Sequence, residues 1–350
     1  MKKIFYGSAV VAAAVAVAAI VLAWQTVRFL DTPLTVPDRG LIYDVAPGTS
    51  FAAVSNDLGE RGVVSHPHIF RWFARLTGDA NRVHAGEYRI EAGLTPSDLL
   101  RKFVSGDVQL YSFTIVEGWT HHELLSRLRR HEAVVQSLGD DDWPGFLESL
   151  DTEATHPEGL FLPETYRFPR GTRDVEILRR AYDAMARTLE TEWDGRAADL
   201  PLSDPYEALI LASIIERETA REDERGKIAG VFVRRLKKGM RLRTDPTVIY
   251  GIGADFDGNL TRRHLQTSTP YNTYMRGGLP PTPIAMPGKA AIRAALNPAP
   301  GPELYFVATG FPDGTHKFST TREEHEAAVA EYLARLRKGR AAPAKGNGSG

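Results

Sequence analysis

The N-terminal segment limits how this chain can fold more than any other part, because the 21 residues from Ile4 to Trp24 include no charged side chain. A helix of that length rises about 30 Å, which matches the hydrocarbon core of a bilayer. Lys2 and Lys3 precede the run and favour a cytoplasmic N-terminus, while Trp24 suits the membrane interface. The segment therefore predicts a single transmembrane anchor, with a cleaved signal peptide as the alternative. In both cases the rest of the chain lies outside the cytoplasm.

Composition narrows the classes of function. With 350 residues, the chain is long enough for two folded domains. It contains no cysteine, which excludes disulfides, thiolate metal ligands, a cysteine nucleophile and a lipoprotein anchor. The formal net charge of −1 provides no overall attraction to nucleic acid. We therefore expect a protein whose hydrophobic core alone stabilises its fold, and whose partners do not include nucleic acid.

A strand–turn–helix pattern occurs three times after the anchor. Each copy has an aromatic residue, a β-branched residue, a glycine, a hydroxyl residue and an apolar residue at matching spacings: Tyr43, Val45, Gly48, Ser50, Val54; then Tyr88, Ile90, Gly93, Thr95, Leu99; then Phe113, Ile115, Gly118, Thr120, Leu124. Glycine permits the turn and the hydroxyl caps the following helix. Such units cannot bury their faces alone and should pack together. The module resembles LysM-type wall-binding domains in shape, and a purely structural module with no ligand site fits equally well.

The predicted fold class is α+β, with one N-terminal transmembrane helix, a small βα (LysM-like) module and a larger mixed α/β domain. A polar, turn-rich stretch at 137–157 separates the last two. Helices are predicted near 173–195, 205–221, 223–238 and 321–337, and strands at Arg241–Tyr250 and Glu303–Gly310. The predicted divisions are 1–3 cytoplasmic, 4–24 transmembrane, 25–40 tether, 41–135 LysM-like module, 158–337 larger domain and 338–350 disordered tail.

Three local motifs resemble sites for a metal ion or an anionic polymer, but such a site is not the favoured interpretation of any of them. "HHELLS" at His121 has Ser126 where a zinc-protease helix needs its second histidine. Asp140–Asp142 is interpreted as a solvated loop, with a cation site as the alternative. The basic stretch Arg234–Arg243 would suit an anionic polymer, although a solvated helix face is favoured.

The stretch "ALILASIIERETA", Ala208–Ala220, raises the possibility of an acid in an apolar environment. On a helical wheel Glu218 continues the face of Leu211, Ile214 and Ile215, whereas Glu216 lies on the opposite side. A carboxylate at the end of an apolar face loses hydration, which raises its pKa toward the range of a general acid. The alternative is that one or both glutamates pair with nearby arginines at the surface.

Four blocks in this order resemble the YceG-like family of endolytic murein transglycosylases. They are "ASIIERETA", "GVFVRRLKKGMRLRTDPTVIYG", "YNTYMRGGLPPTPIAMPG" and "ELYFVATG" followed by "GTHKFSTTREEH", and "LPETYRF" also fits. The resemblance covers residues 40–337 and implies that 158–337 forms a YceG-like catalytic domain. It implies a periplasmic lyase, anchored in the bacterial inner membrane, that cleaves the MurNAc-β-1,4-GlcNAc bond and leaves 1,6-anhydroMurNAc ends.

The resemblance also assigns roles to individual residues. The catalytic glutamate of the family falls on Glu218, and Asn297 stands where many relatives carry histidine, so we expect no catalytic role there. Candidate substrate-binding residues on the surrounding loops are Glu164, Tyr166, Asp245, Thr247, Tyr250, Tyr271, Asn272 and Thr273. For each of them, buried structural hydrogen bonding is an equally good interpretation. Neither a metal nor an organic cofactor is implied.

The implied partners are peptidoglycan glycan strands, peptidoglycan synthases (penicillin-binding proteins) and the membrane through the N-terminal helix. The enzyme would act on nascent strands and terminate their elongation. Two alternatives stay open: a muramidase that hydrolyses the same bond with water, and a non-catalytic scaffold that binds peptidoglycan.

Overall fold

The structure is a computed structural model that describes residues 2–341, with side chains from 12 to 337. Its described residues form two compact units of mixed α/β structure. Unit 1 extends to Tyr111 and includes Arg167–Gly171, and unit 2 comprises Ser112–Tyr166 and the described residues from Thr172 onward. The predicted tail falls largely outside the described residues, except that the last helix continues through Ala341.

Unit 1 begins with the long N-terminal helix. Its elements are α1 (Lys2–Leu30), β1 (Leu41–Val45), α2 (Phe51–Glu60), α3 (Pro67–Leu76), β2 (Gly86–Ile90) and α4 (Pro96–Ser105). Within α1, the segment Ala12–Leu30 has a mean hydropathy of 1.8 and is 11% buried, so it is long and apolar enough to cross a membrane. The helix therefore fits the predicted anchor, although it continues past Trp24, where the span was predicted to end.

The segment that follows the apolar run packs against unit 1. Phe29, Leu30 and Leu34 are buried in its hydrophobic core. The backbone N–H of Leu34 donates to the carbonyl of Leu94 at 2.7 Å, which fixes the chain after α1. Residues 25–40, predicted as a short tether, are helical through Leu30, and apolar side chains of this segment are buried in the core of unit 1.

The first two strand–turn–helix copies form the centre of unit 1. β1 and β2 pair antiparallel with Tyr43 opposite Tyr88, and both rings are buried. Gly48 adopts the left-handed conformation (φ 80°) that the turn requires. Ser50 accepts from the backbone of α2 and Thr95 from that of α4, so the hydroxyls act as N-caps as predicted.

The third copy is divided between the units. β3 (Leu110–Thr114) begins in unit 1, and α5 (His121–Leu128) belongs to unit 2. Thr120 caps α5 in a capping box with Glu123. The strand–helix pattern is confirmed in all three copies, while the predicted limits of 41–135 and 158–337 stay predictions.

Unit 2 contains most of the helices. After α5 come β4 (Val134–Val135), α6 (Trp143–Ser149), β5 (Thr165–Pro169, which ends in unit 1), β6 (Thr172–Arg173), α7 (Asp174–Asp194), α8 (Pro205–Glu218), α9 (Glu222–Lys237), α10 (Asp245–Ile252), α11 (Arg262–Gln266), α12 (Lys289–Leu296), β7 (Tyr305–Ala308), β8 (His316–Ser319) and α13 (Arg322–Ala341). β3 pairs with β5, β4 runs parallel to β6, and β7 and β8 form an antiparallel pair. The four predicted helices correspond to α7, α8, α9 and α13, and the strand predicted at Glu303–Gly310 corresponds to β7.

One strand prediction is wrong. Residues 241–250 were expected to be extended, yet the second half of that stretch forms α10. Pro246 occupies the first turn, where a missing N–H costs nothing, and Asp245 favours a helix N-terminus through its charge. Val248, one of the two apolar β-branched residues that suggested a strand, is buried within this short helix instead.

Candidate active site

The helix α8 is the central element of unit 2. Asp204 caps its N-terminus by accepting from the N–H of Glu207 at 2.9 Å. Every residue from Ala208 to Ile215 is buried, because α8 packs against α7, α9, α10 and α12. The helix ends at Glu218, and Thr219 is extended. The buried helix α8 thus ends in a carboxyl group, that of Glu218, as the helical wheel predicted.

Glu218 accepts a hydrogen bond from the hydroxyl of Thr244 through Oε1. Burial raises the pKa of Glu218 to about 7, and the negative charge of Asp245 adds to the rise. The Thr244 hydroxyl and the more distant charge of Arg235 act in the opposite direction. Glu218 makes no ion pair within the described part of the chain. It can therefore carry a proton near neutral pH and release it, which is the property of a general acid.

Thr244 is held in place by buried hydroxyl groups. Its N–H donates to Oγ1 of Thr273 at 3.1 Å, and its carbonyl accepts from the hydroxyl of Thr247 at 2.8 Å. Thr247 and Thr273 also share a hydrogen bond of 2.9 Å. Asn272, fully buried, donates from its side-chain amide to three backbone carbonyls at the end of α11 and just after it. The side chains of Thr247, Asn272 and Thr273, all predicted to bind substrate, thus form hydrogen bonds that stabilise the backbone beside Glu218.

Glu218 lies in the wall of a cleft of about 960 Å³. The other polar and aromatic residues of its lining are Arg235, Arg241, Arg243, Thr244, Asp245, Tyr274, Tyr305, His316, Arg322, His325, Glu326 and Tyr332. Asp245 accepts from the hydroxyl of Tyr274 at 2.6 Å. Of the eight residues predicted to bind substrate, Asp245 is the one whose side chain the described structure places in this lining.

Three arginines in the cleft lack a carboxylate partner among the described residues. Arg235 is 7% exposed and donates to the carbonyls of Leu304 and Leu242. Arg241 donates to the carbonyl of Tyr274 at 3.0 Å, and Arg243 is exposed with a left-handed backbone (φ 50°). The favoured interpretation of this basic stretch as a solvated helix face is therefore wrong for Arg235, and the cleft presents positive charge suited to an anionic group.

Glu216 occupies a different environment from Glu218. Its side chain is 5% exposed, accepts from the N–H of Gly288 at 2.9 Å and pairs with Arg225 at 3.3 Å. Burial raises the pKa of Glu216, while the Gly288 hydrogen bond and Arg225 favour its charged form. The pairing that the sequence left open for both glutamates is thus found for Glu216 alone.

Four predicted site residues lie away from the lining of this cleft. Tyr250 donates to buried Glu158 at 3.0 Å, and Tyr271 shares a hydrogen bond of 2.9 Å with Thr282. Tyr166 is buried and donates to the carbonyl of Leu162 at 2.7 Å. Glu164 is exposed and pairs with Lys289 at 2.8 Å. Their assignment as substrate-binding residues stays a prediction.

Sequence reasoning missed Thr244, Arg235 and Tyr274. The signal for Thr244 was present, because a threonine before Asp-Pro is typical of a helix N-terminus and would have placed its side chain at the start of α10. Arg235 lies in the basic stretch whose alternative interpretation was a site for an anionic polymer, whereas Tyr274 carries no local signal, since its position in the cleft depends on tertiary packing.

The described residues include no group of three or more histidine, aspartate or glutamate side chains arranged to hold a metal ion. In the loop for which a cation site was the alternative, Asp140 pairs with Arg129 at 2.9 Å and Asp142 accepts from the N–H of Gly139 at 2.8 Å. All three aspartates are exposed, which agrees with the interpretation of a solvated loop.

Comparison with known proteins gives a consistent result. The chain matches the YceG-like family over residues 43–331. It is 28% identical to an endolytic murein transglycosylase of Bacillus subtilis strain 168, covering 83% of this chain and 84% of that protein. It is 26% identical to the endolytic murein transglycosylase of Streptococcus pneumoniae serotype 2, of which it spans 58%. The crystal structure of a YceG-like protein from Listeria monocytogenes superimposes with a TM-score of 0.53 at 27% identity, covering 83% of this chain and 99% of that one.

Proposed function

This chain belongs to the YceG-like family, and on that premise we propose that it is a membrane-anchored endolytic lytic transglycosylase that cleaves peptidoglycan glycan strands. The observation that carries the proposal is the carboxyl group of Glu218, whose pKa burial raises to about 7 in the wall of a large polar cleft. A cleft of this size has room for sugar units, and its tyrosine rings suit the faces of sugars.

The proposed reaction uses Glu218 twice. Protonated Glu218 donates to the glycosidic oxygen while the bond from that oxygen to C1 of N-acetylmuramic acid breaks and positive charge develops on the ring. The resulting carboxylate then takes the proton of the C6 hydroxyl, and the C6 oxygen bonds to C1 to form the 1,6-anhydro ring. Glu218 is protonated again at the end. The reaction therefore consumes no water and needs no second carboxyl group, unlike that of most glycoside hydrolases.

The neighbours of Glu218 suit both halves of this reaction. The Thr244 hydroxyl donates to the carboxylate that exists between the two proton transfers. Desolvation and the charge of Asp245 favour the protonated form that the first transfer needs. Arg235, Arg241 and Arg243 would attract the carboxylates that peptide-bearing glycan carries. Positioned acid catalysis of this kind contributes typically about 10²–10⁴-fold.

The location and partners of the protein follow from the same proposal. α1 would span the bacterial inner membrane with the N-terminus in the cytoplasm, so that both units lie in the periplasm. The strand–helix module would act as a LysM-like glycan contact. Peptidoglycan synthases would be partners, because a lyase held at the membrane can cut strands while they are being made.

The decisive experiment is digestion of purified glycan strands followed by mass spectrometry. We expect 1,6-anhydromuramyl ends from the wild-type protein and none from Glu218→Gln. The variant should be at least as thermally stable as wild type at neutral pH, because burial penalises the charge that the substitution removes. Reducing ends in place of anhydro ends would indicate a muramidase, and binding without new ends would indicate a scaffold.

Glu216→Gln is the matched control on the same helix. It removes the charge that pairs with Arg225 and should lower stability, since breaking a buried pair leaves an unpaired charge. Product formation per folded molecule should persist. Loss of activity equal to that of Glu218→Gln, at equal folded fraction, would contradict the assignment of the acid to Glu218.

A further inference from the structure

The helix α3 of unit 1 presents an apolar face to solvent. Trp72 and Leu76, one helical turn apart, are 62% and 79% exposed. Outside α1, no other large apolar side chain in residues 12–337 is as exposed. The opposite face of α3 is fully buried through Phe70 and Ala74, so the helix is firmly packed. Single exposed apolar residues are ordinary, but a neighbouring tryptophan and leucine on one face indicate an interaction surface.

The charges on this helix have one sign. α3 includes Arg71 and Arg75 and no acidic residue. The side chain of Arg75 makes no ion pair in the part of the chain that the structure describes, and Arg71 contacts Nδ1 of His68 at 2.9 Å. Exposed apolar side chains flanked by arginines are typical of helices that lie in a bilayer interface, where the cations meet anionic headgroups.

The position of α3 next to the end of α1 also favours contact with the bilayer interface. The ring of Phe29, near the end of α1, lies 6.5 Å from that of Phe70 in α3 and 5.5 Å from that of His66, the residue before α3. The 29 residues of α1 extend about 44 Å, whereas the hydrocarbon core is about 30 Å thick. The excess of about 14 Å means that the end of α1, with Phe29, extends beyond the hydrocarbon core toward the headgroup layer. Leu76 follows Phe70 by six residues in α3, so it lies only about 9 Å farther along the axis of that helix.

We infer that α3 is a second membrane contact, in which Trp72 and Leu76 enter the boundary between headgroups and acyl chains of the bilayer that α1 crosses. Arg71 and Arg75 would contact the phosphates of anionic phospholipids. A lipid surface is favoured over a protein partner because α3 begins beside the last turn of the apolar helix. This inference depends on membrane insertion of α1 and is independent of the catalytic proposal.

The absence of cysteine makes a direct test possible. Full-length protein carrying Leu76→Cys is labelled with an environment-sensitive nitrobenzoxadiazole group and placed in nanodiscs of equal parts phosphatidylcholine and phosphatidylglycerol. The matched control is Leu110→Cys, which is 49% exposed in the same unit but is not on α3. We expect blue-shifted emission from position 76 that brominated lipids quench several-fold more than emission from position 110.

Two results would overturn the inference. Emission from position 76 that resembles position 110 and is quenched equally by aqueous iodide would show that α3 faces water. Blue-shifted emission that brominated lipids do not quench would show that a protein, such as a second copy of the chain, covers α3.

The arginines are tested in the same system. Quenching at position 76 should be stronger with phosphatidylglycerol than with phosphatidylcholine alone, and the double change Arg71→Gln and Arg75→Gln should abolish that difference. Equal quenching of the unsubstituted labelled protein on both lipids would contradict the role given to the two arginines.

Discussion

Two adjacent residues, Thr244 and Asp245, shift the pKa of Glu218 in opposite directions. The Thr244 hydroxyl stabilises the carboxylate, and the charge of Asp245 destabilises it. Burial is the largest influence on the pKa of Glu218, and the N-terminus of α10 adjusts that pKa in both directions, because Thr244 directly precedes Asp245. This arrangement allows the two influences to be separated by single substitutions.

The pH dependence of kcat/KM should respond in opposite directions to these substitutions. A general acid is active when protonated, so wild-type activity should fall as the pH rises through about 7. Thr244→Val removes the hydrogen bond that lowers the pKa, and the alkaline limb should move up by about one pH unit. Asp245→Asn removes the charge that raises the pKa, and the limb should move down. The measurement is a pH–rate profile on soluble glycan.

Thermal unfolding of both variants provides the control for folding. If the two limbs moved in the same direction, or neither moved, the titrating group would not be Glu218. The same experiment thus tests both the assignment of the titrating group to Glu218 and the effects of Thr244 and Asp245 on its pKa.

At the residue scale, the sequence could single out Glu218 as the candidate acid, but it could not indicate the residues around its carboxyl group. The helical wheel gives directions around α8, and resemblance to a family selects Glu218 over Glu216. The wheel contains no information about which loop approaches the end of the helix. Thr244 and Arg235 reach the cleft through tertiary packing of α9, α10 and the loop at Asn272, which local patterns do not encode.

At the element scale, two glycines of α9 illustrate how closely unit 2 is packed. A Cβ on Gly230 would lie 2.5 Å from the carbonyl oxygen of Ala299, which real contacts do not permit. A Cβ on Gly226 would lie no closer than 3.7 Å to Ala299, an ordinary van der Waals distance. Both residues are in the same helix, so their helix propensities are matched.

We therefore expect Gly230→Ala and Gly226→Ala to differ in sign. Gly226→Ala should stabilise the protein by about 0.5–1 kcal/mol, because alanine loses less backbone entropy in a helix. Gly230→Ala should destabilise it by about 1–3 kcal/mol through overpacking. Chemical denaturation with guanidinium measures both. A Gly230→Ala protein as stable as Gly226→Ala would mean that α9 and the Ala299 segment are not in close contact.

Elements with caps and regular periodicity were predictable from sequence, and short ones with mixed signals were not. The hydroxyl caps of α2, α4 and α5 coincide with the repeated pattern, because capping is a local interaction. α10 was mistaken for a strand because its valine and isoleucine suggest β structure, whereas the Asp-Pro start determined the outcome.

At the scale of the whole molecule, the core of unit 1 includes side chains contributed by the end of α1 and the following loop. Phe29, Leu30 and Leu34 are less than one-tenth exposed. A chain that begins at Arg28 retains them, and one that begins at Val36 does not.

These two truncated chains should differ in stability. Each buried apolar side chain contributes about 1.5–3 kcal/mol, so the chain beginning at Val36 should unfold at a clearly lower temperature. The chain beginning at Arg28 should retain the unfolding temperature of the full-length protein in detergent. Circular dichroism during heating provides the measurement, and equal temperatures for the two truncated chains would contradict the packing of this segment.

The sequence predicted the mixed α/β class and the N-terminal apolar helix, because both depend on composition and periodicity. It did not predict that residues 29–34 join a core. Proline and glycine at 33, 37 and 40 suggested a short tether, whereas the burial of Leu34 depends on partners far along the chain, such as Leu94.

The direct passage of α1 into a folded core also bears on how this protein can evolve. Inserting residues into a flexible spacer between a membrane span and a domain has little thermodynamic cost. Here an insertion at 31–35 would displace buried side chains rather than lengthen a spacer. Relatives in cells with differently spaced envelopes should therefore vary elsewhere and keep this junction at constant length.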